Sequence, residues 1–312
     1  MKKLPAWYNN RKYRKRGAAR VQNFYWYTIC VLTRIFCALP HKSAVRLGDF
    51  LGRMIWLFSK HKVDKAEQRC VRSLGVGVTL ARKIVLGSYR NIGRGVAETL
   101  RLRKIAPHIE RYVSLENREI LQNALDAGKG VILLLGHLDN WEYANNYVSR
   151  YFPLNVVAAN QRDHRITELL MKIRYLGGTH NVQKGQGLKG ALRCLKNGEV
   201  LCILLDQDAK DQGVIVPFLG LPASTPVGIA KLAARFGSAV VPIHIVRNPD
   251  GFTHTLILEP PLSDPSGAPF GENIETAVRI CNDRISSWIL EHPEQWLIWL
   301  YPRWASTVPG DR

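Results

Sequence analysis

"VILLLGHLDNWEYAN", residues 131–145, decides how the rest of the chain is read. Its first five residues are apolar and rich in Val, Ile and Leu, the pattern of a strand covered on both faces inside a parallel sheet. Gly136 and His137 end the strand, and Asp139, Asn140, Trp141 and Glu142 open a helix from about 140. In sheets of this type ligands gather at the carboxyl ends of the strands, where His137 falls.

The same alternation continues on both sides. Upstream, "REILQNALDAGKG" (118–130) reads as a helix closed by glycine. Downstream come the strands "NVVAA" (155–159), "VLCILL" (200–205) and "AVVPIHIV" (239–246). Between the first two lie a helix with Ile166, Leu169, Leu170 and Ile173 on one face and another presenting Leu188, Ala191, Leu192 and Leu195. Thr225 is expected to cap a helix whose first residue is Pro226. "THTLILE" (253–259) is expected to pair antiparallel with 239–246, as an edge strand across the turn "NPDG", before a last helix near 273–290. This order predicts an α/β fold for 115–304, a mostly parallel central sheet flanked by helices. Residues 305–312 form a tail.

The N-terminal third is different. Residues 41–114 read as a helical region packed on the core, basic and helix-like from about 61 to 112, with Val85, Tyr89, Ile92, Val96 and Leu100 near helical spacing. Before it, a basic leader (1–22) precedes a hydrophobic segment (23–40) rich in aromatics, and no small-residue cleavage site follows, so both are read as retained. Seventeen apolar-run residues (23–39) make about 26 Å of helix, short of a hydrocarbon core of about 30 Å, and Arg34 interrupts them. Three readings stay open: a marginal span, an anchor in the membrane interface with Tyr25, Trp26 and Tyr27 at headgroup level, or a buried first helix with a solvated tail. The in-plane anchor leaves the main domain cytoplasmic, which suits unpaired cysteines.

Composition narrows the partners. Forty-four Lys and Arg against 25 Asp and Glu give a formal charge of +19, beyond what solubility requires, so the partner is anionic. Nucleic acid is not expected: no zinc-finger spacing or RNA-stacking motif accompanies the charge, and much of it lies in the leader. The six cysteines contain no C-x-x-C pair, so neither a disulfide framework nor a metal site is expected, nor any cofactor.

The chemistry centres on His137. Asp139 followed by Glu142 has the spacing of a capping box, which carries no chemistry. The alternative gives Asp139 to the backbone and Glu142 to the imidazole, fixing its tautomer and stabilising the imidazolium formed when it takes a proton from a hydroxyl. No G-x-S-x-G elbow is present, so the nucleophile is assigned to the substrate. A histidine base acting on a substrate hydroxyl suits acyl transfer from a thioester.

"GHLDNWE" after an apolar strand resembles the H-x-x-x-x-E signature of the lipid A biosynthesis late acyltransferases, relatives of glycerolipid acyltransferases with H-x-x-x-x-D. "LKNGEVLCILLDQD" (195–208), "VIVPFLGLPASTPVGIAKLAARFGSAVVPI" (214–243) and "HPEQWLIW" (292–299) resemble that family's segments, in its order. The resemblance implies transfer of an acyl group from an acyl carrier protein or coenzyme A thioester to a hydroxyl of a phosphorylated glycolipid, a lipid A precursor, at an anionic membrane surface. It implies His137 as general base and Glu142 as its orienting partner. Asn140 and Trp141 would line the acceptor pocket, with Asp206 and Asp208 at the opposite strand end, unless those two only form a polar turn. Arg162 is a substrate-binding candidate, and Arg174 a phosphate-binding candidate that also fits a solvated helical charge. Trp288, Trp296, Trp299 and Trp304 read either as a membrane-facing rim or as core. Two departures leave the acceptor open: Asn160 and Gln161 stand where the family places a basic residue, and Leu300, Tyr301, Pro302 and Arg303 where it has histidine and arginines. The same base serves other lipid or secondary-metabolite acceptors, or thioester hydrolysis.

Overall fold

The computed structural model describes residues 16–158, 161–183 and 187–311. Five helices come first: α1 (Arg16–Ala38), α2 (His41–Phe58), α3 (Lys60–Leu74), α4 (Val78–Leu100) and the short α5 (Leu102–Ile105). The alternating part follows as β1 (Val113–Glu116), α6 (Arg118–Asp126), β2 (Val131–Leu135), α7 (Trp141–Ser149), β3 (Leu154–Ala158), α8 (His164–Leu176), β4 (His180–Gln183), α9 (Gly187–Lys196) and β5 (Val200–Leu204). The chain continues with β6 (Gly213–Phe218), β7 (Leu221–Pro226), α10 (Gly228–Phe236), β8 (Ala239–Arg247), β9 (His254–Leu258) and α11 (Ile274–Glu291).

Among the described residues the main sheet has the order β1-β9-β8-β2-β5-β3-β4, with only the β8–β9 pair antiparallel. β2 is central, and both its faces are covered, which is why "VILLL" carries no polar residue. Ile132 and Leu134 pack with α3, α4, α9, α10 and α11, whereas Val131, Leu133 and Leu135 pack with α6, α7 and Ile173 of α8. β9 pairs antiparallel with β8 as expected but is not the edge, because β1 lies outside it.

One further expectation is corrected. Thr225 caps no helix: it ends the hairpin β6–β7, turned at Leu219 (φ 47°) and Gly220 (φ 75°), a two-residue turn with both central φ values positive. Its hydroxyl accepts hydrogen bonds from Arg303 (2.7 Å) and Asn282 (3.0 Å), and α10 starts beyond it at Gly228. The stretch set off as a C-terminal tail is fastened down, since Asp311 is buried and accepts from Arg69 and Arg72 at 2.9 Å each.

α2 lies against α4 at glycine contacts. A Cβ on Gly48 would overlap the Gly93 carbonyl, and one on Gly52 would overlap that of Tyr89. Gly52→Val is therefore expected to cost about 3 kcal/mol or more through overpacking, read as a lowered midpoint in thermal unfolding. A midpoint equal to wild type would show that this crossing is not tight.

No described helix is long and apolar enough to cross a membrane, so the spanning reading of 23–40 has no support. Residues 1–15 of the basic leader lie outside the described residues. α1 packs one edge through Phe36 against Ala44 and Ala97, and leaves Phe24, Tyr25, Tyr27, Val31 and Ile35 exposed. Trp26 is half-buried, its ring under the Arg165 guanidinium.

Candidate active site

β2 and β5 are parallel neighbours, and the register that pairs Val131 with Val200 and Leu135 with Leu204 carries on past both strand ends. The Leu205 N–H donates to the Leu135 carbonyl (3.1 Å), and the next step brings His137 onto Asp206. Gly136 makes the approach possible, since a Cβ there would crowd the side chains of Leu138 and Ile285 at 3.0 and 3.1 Å.

Asp206 is fully buried, and three N–H groups converge on it. Its Oδ1 lies 2.6 Å from His137 Nδ1, while Oδ2 accepts from the His137 backbone N–H (2.7 Å) and the Trp296 indole N–H (2.8 Å). Burial alone would push this carboxyl up. The His137 imidazole and the three donors outweigh it and hold Asp206 below the usual carboxylate range, so it stays ionised. An ionised acceptor on Nδ1 fixes the proton there and leaves Nε2 as the basic nitrogen.

The imidazole is reachable, with 16 % of its side-chain surface exposed. Its Nε2 is 3.4 Å from the amide nitrogen of the exposed Gln207, and the edge of Trp141 meets the ring at a centroid distance of 4.8 Å. The sequence reading leaves Gln207 aside and takes Trp296 only as rim or core, with no part in the site. The signals were the neighbouring Asp206 for the first, and for the second an indole N–H inside an otherwise apolar "QWLIW", which needs an acceptor when buried.

The carboxylate on His137 is thus Asp206, not Glu142. Glu142 faces α8 instead, where its Oε1 and Oε2 take the Arg174 guanidinium at 2.5 and 2.9 Å in a largely buried pair. The reason is distance along the helix: Glu142 sits in the first turn of α7, on the side packed against α8, while Asp206 arrives from the adjacent strand. Asp139 is likewise not the helix cap. That role belongs to Asn140, whose Oδ1 accepts from the Tyr143 N–H (3.2 Å) and whose Nδ2 donates to Glu98 (2.9 Å). Arg162 is exposed in the loop before α8. Asp208 accepts from the Lys210 N–H (3.0 Å) and from the Ser306 hydroxyl, which is a loop-closing arrangement. All four tryptophans at 288, 296, 299 and 304 are core.

Asp139 is buried with φ 36° and is held by Arg247. Burial opposes its ionisation, but the Arg247 charge and the neighbouring His254 bring its carboxyl down from 3.8 to about 2. A depressed folded-state value means stabilisation that is complete above about 4 and lost as pH falls through about 2. Thermal unfolding from pH 5 downward should show that loss in wild type and a flatter profile in Asp139→Asn. Equal slopes in the two proteins would contradict it.

Cysteine chemistry does not compete with His137 here. Burial pushes the thiols of Cys70, Cys194 and Cys202 up to about 12, so they are not thiolates near neutral pH.

The open α/β sheet with a histidine–carboxylate pair at its carboxyl edge belongs to a class that comparison with known proteins defines. The family model described as bacterial lipid A biosynthesis acyltransferase matches residues 13–306, and the chain belongs to that family. It is an acyltransferase. Among curated proteins it is similar to the phosphatidylinositol mannoside acyltransferase of Mycobacterium tuberculosis (strain ATCC 25618 / H37Rv), 27 % identical over 287 residues, which is 88 % of this chain and 87 % of that protein. The protein of the same description from Mycolicibacterium smegmatis is 27 % identical over 197 residues, 62 % of each chain. The lipid A biosynthesis lauroyltransferase of Escherichia coli is 26 % identical over 295 residues, covering 91 % of this chain and 92 % of that one.

Proposed function

We propose that this acyltransferase moves a fatty acyl group from an acyl-carrier-protein or coenzyme A thioester to a hydroxyl of a phosphorylated glycolipid, with His137 as general base. The observation that carries this reading is the His137–Asp206 pair, which leaves Nε2 as the basic nitrogen on an accessible ring. His137 Nε2 takes the proton as the acceptor oxygen bonds to the thioester carbonyl carbon. The carbon–sulfur bond then breaks, and the imidazolium returns the proton to the departing sulfur, giving ester and thiol. Trp141, against the His137 ring, is assigned to flank the acceptor, and the exposed Arg162 to bind substrate. Glu142 with Arg174 braces α7 on α8.

The acceptor proposed first is a lipid A precursor, in line with the family. A phosphatidylinositol mannoside is the second reading, favoured by the mycobacterial relatives. Both are phosphate-bearing glycolipids with sugar hydroxyls. We further propose that the protein works at the cytoplasmic face of the inner membrane. The apolar residues exposed on α1 and Phe50, Ile55, Leu57 and Phe58 on α2 support interfacial seating, with the basic leader drawn to anionic lipid.

The test is transfer of labelled acyl chains by the full chain in mixed micelles, with each donor crossed against each acceptor. Acceptor-dependent formation of acylated glycolipid supports the proposal. Thioester loss that does not depend on glycolipid would turn the reading to hydrolysis.

A further inference from the structure

The sharpest unexplained feature is a buried charge cluster behind the catalytic loop. Glu98 of α4, Asp139 and His254 of β9 are all buried, and their donor atoms lie within 4.8 Å of one another, close enough to share a cation. That cation is already present as the Arg247 guanidinium. Its Nε and Nη2 donate to Asp139 at 2.9 and 2.7 Å, and its Nη1 and Nη2 donate to Glu98 at 2.6 and 2.9 Å. Nη1 also reaches the Gly251 carbonyl (3.1 Å), and His254 Nε2 lies 3.3 Å from Asp139.

The cluster ties the loop down from several directions. The Asp139 N–H donates to the Gln295 carbonyl (2.8 Å), and the Leu297 N–H donates to the His137 carbonyl (3.0 Å). The Gln295 side-chain oxygen in turn accepts from the Arg247 backbone N–H (2.8 Å). Asn140 donates to the same Glu98 that Arg247 holds. Asp139 therefore keeps a positive φ, unusual for a residue with a side chain, because its carboxylate is fixed by a planar fork that a point charge cannot reproduce.

We infer that Arg247 is a positioning residue of the acyl-transfer reaction: by gripping Asp139 and Glu98 together it sets the backbone of residues 137–140, and so the placement of His137. Arg247 touches no reacting atom. The inference rests on His137 being the base, as proposed above.

Three variants test it on the full chain: Arg247→Met, Arg247→Met/Glu98→Gln and Arg247→Lys. Arg247→Met leaves two buried carboxylates facing His254, with Arg101, His41, Tyr112 and Tyr143 around them, so one of the two takes up a proton. As pH rises that proton is lost and the carboxylates push apart, so the defect deepens toward alkaline pH. The expected result is a fall in kcat of about 10²-fold, the effect of a displacement near 1 Å, with KM for the acyl thioester changed by less than about threefold. Arg247→Lys should recover part of kcat. If Arg247→Met does not fold, the double variant, with one buried charge fewer, is expected to fold and keep the low kcat.

Amide hydrogen exchange reads the same loop without using activity: peptides covering 137–140 should exchange faster in the Met variants while β2 and β5 stay protected. Faster exchange in a protein whose wild type transfers no acyl group would uphold the clamp and sink the proposed reaction instead. Wild-type kcat in a folded Met variant, unchanged loop exchange, or failure of all three variants to fold would overturn the positioning role.

Discussion

His137→Ala is expected to lower kcat for acyl transfer by about 10²- to 10⁴-fold, the usual range for losing a general base, with little change in KM for the thioester. The selectivity for kcat follows from the geometry. In the proposed reaction Nε2 meets the acceptor proton only as the new carbon–oxygen bond forms, so its contribution would lie in the transition state. The ring is partly exposed and packs against Trp141, so the truncation removes little core. Initial rates with a labelled thioester check this, and an undiminished rate would remove His137 from the mechanism.

Asp206→Asn is expected to be comparably costly, about 10³- to 10⁴-fold in kcat, for a reason that can be worked out atom by atom. Two N–H donors, the His137 backbone and the Trp296 indole, both point at Oδ2. An asparagine must place its carbonyl oxygen there, which turns its NH2 group toward His137 Nδ1. Nδ1 then becomes an acceptor, the ring proton moves to Nε2, and the base nitrogen is occupied. Glu142→Gln provides the contrast. It weakens a brace between α7 and α8, so it should lower thermal stability more than kcat. Comparing the two variants by steady-state rates and thermal unfolding separates the roles, and a larger kcat loss in Glu142→Gln would restore that residue as the partner of His137.

Sequence legibility varied with how much of an element's environment is encoded locally. β2 and β5 stood out because strands buried on both faces must be apolar throughout, and His137 stood out because it interrupts such a run. β1 and β4 have four residues each, lie at the two edges of the sheet and contain polar residues, so periodicity had nothing to act on. The Thr225–Pro226 pair had the chemistry of a helix start, but Arg303 and Asn282 claimed the Thr225 hydroxyl for the hairpin.

Proximity in sequence favours Glu142 as the partner of His137, whereas proximity across the sheet brings Asp206 to it. Glu142 is five positions from His137, and Asp206 is 69 away but in register with it. The clue was available: two strand ends in a parallel sheet, one carrying a histidine and the other an aspartate, are neighbours if the strands are. Arg247 was hidden for the same reason. An arginine ending a mostly apolar strand and a lone Glu98 in "VAETL" need each other when both are buried, but nothing local joins them.

The most direct measurement is the proton on His137 Nδ1, observed by NMR in protein labelled with 15N-histidine and assigned against His137→Ala. The account predicts that Nδ1 carries the proton and Nε2 does not, that the arrangement inverts in Asp206→Asn, and that Glu142→Gln leaves it in place. A proton on Nε2 in the wild type, or a spectrum that Asp206→Asn leaves unchanged and Glu142→Gln alters, would contradict it.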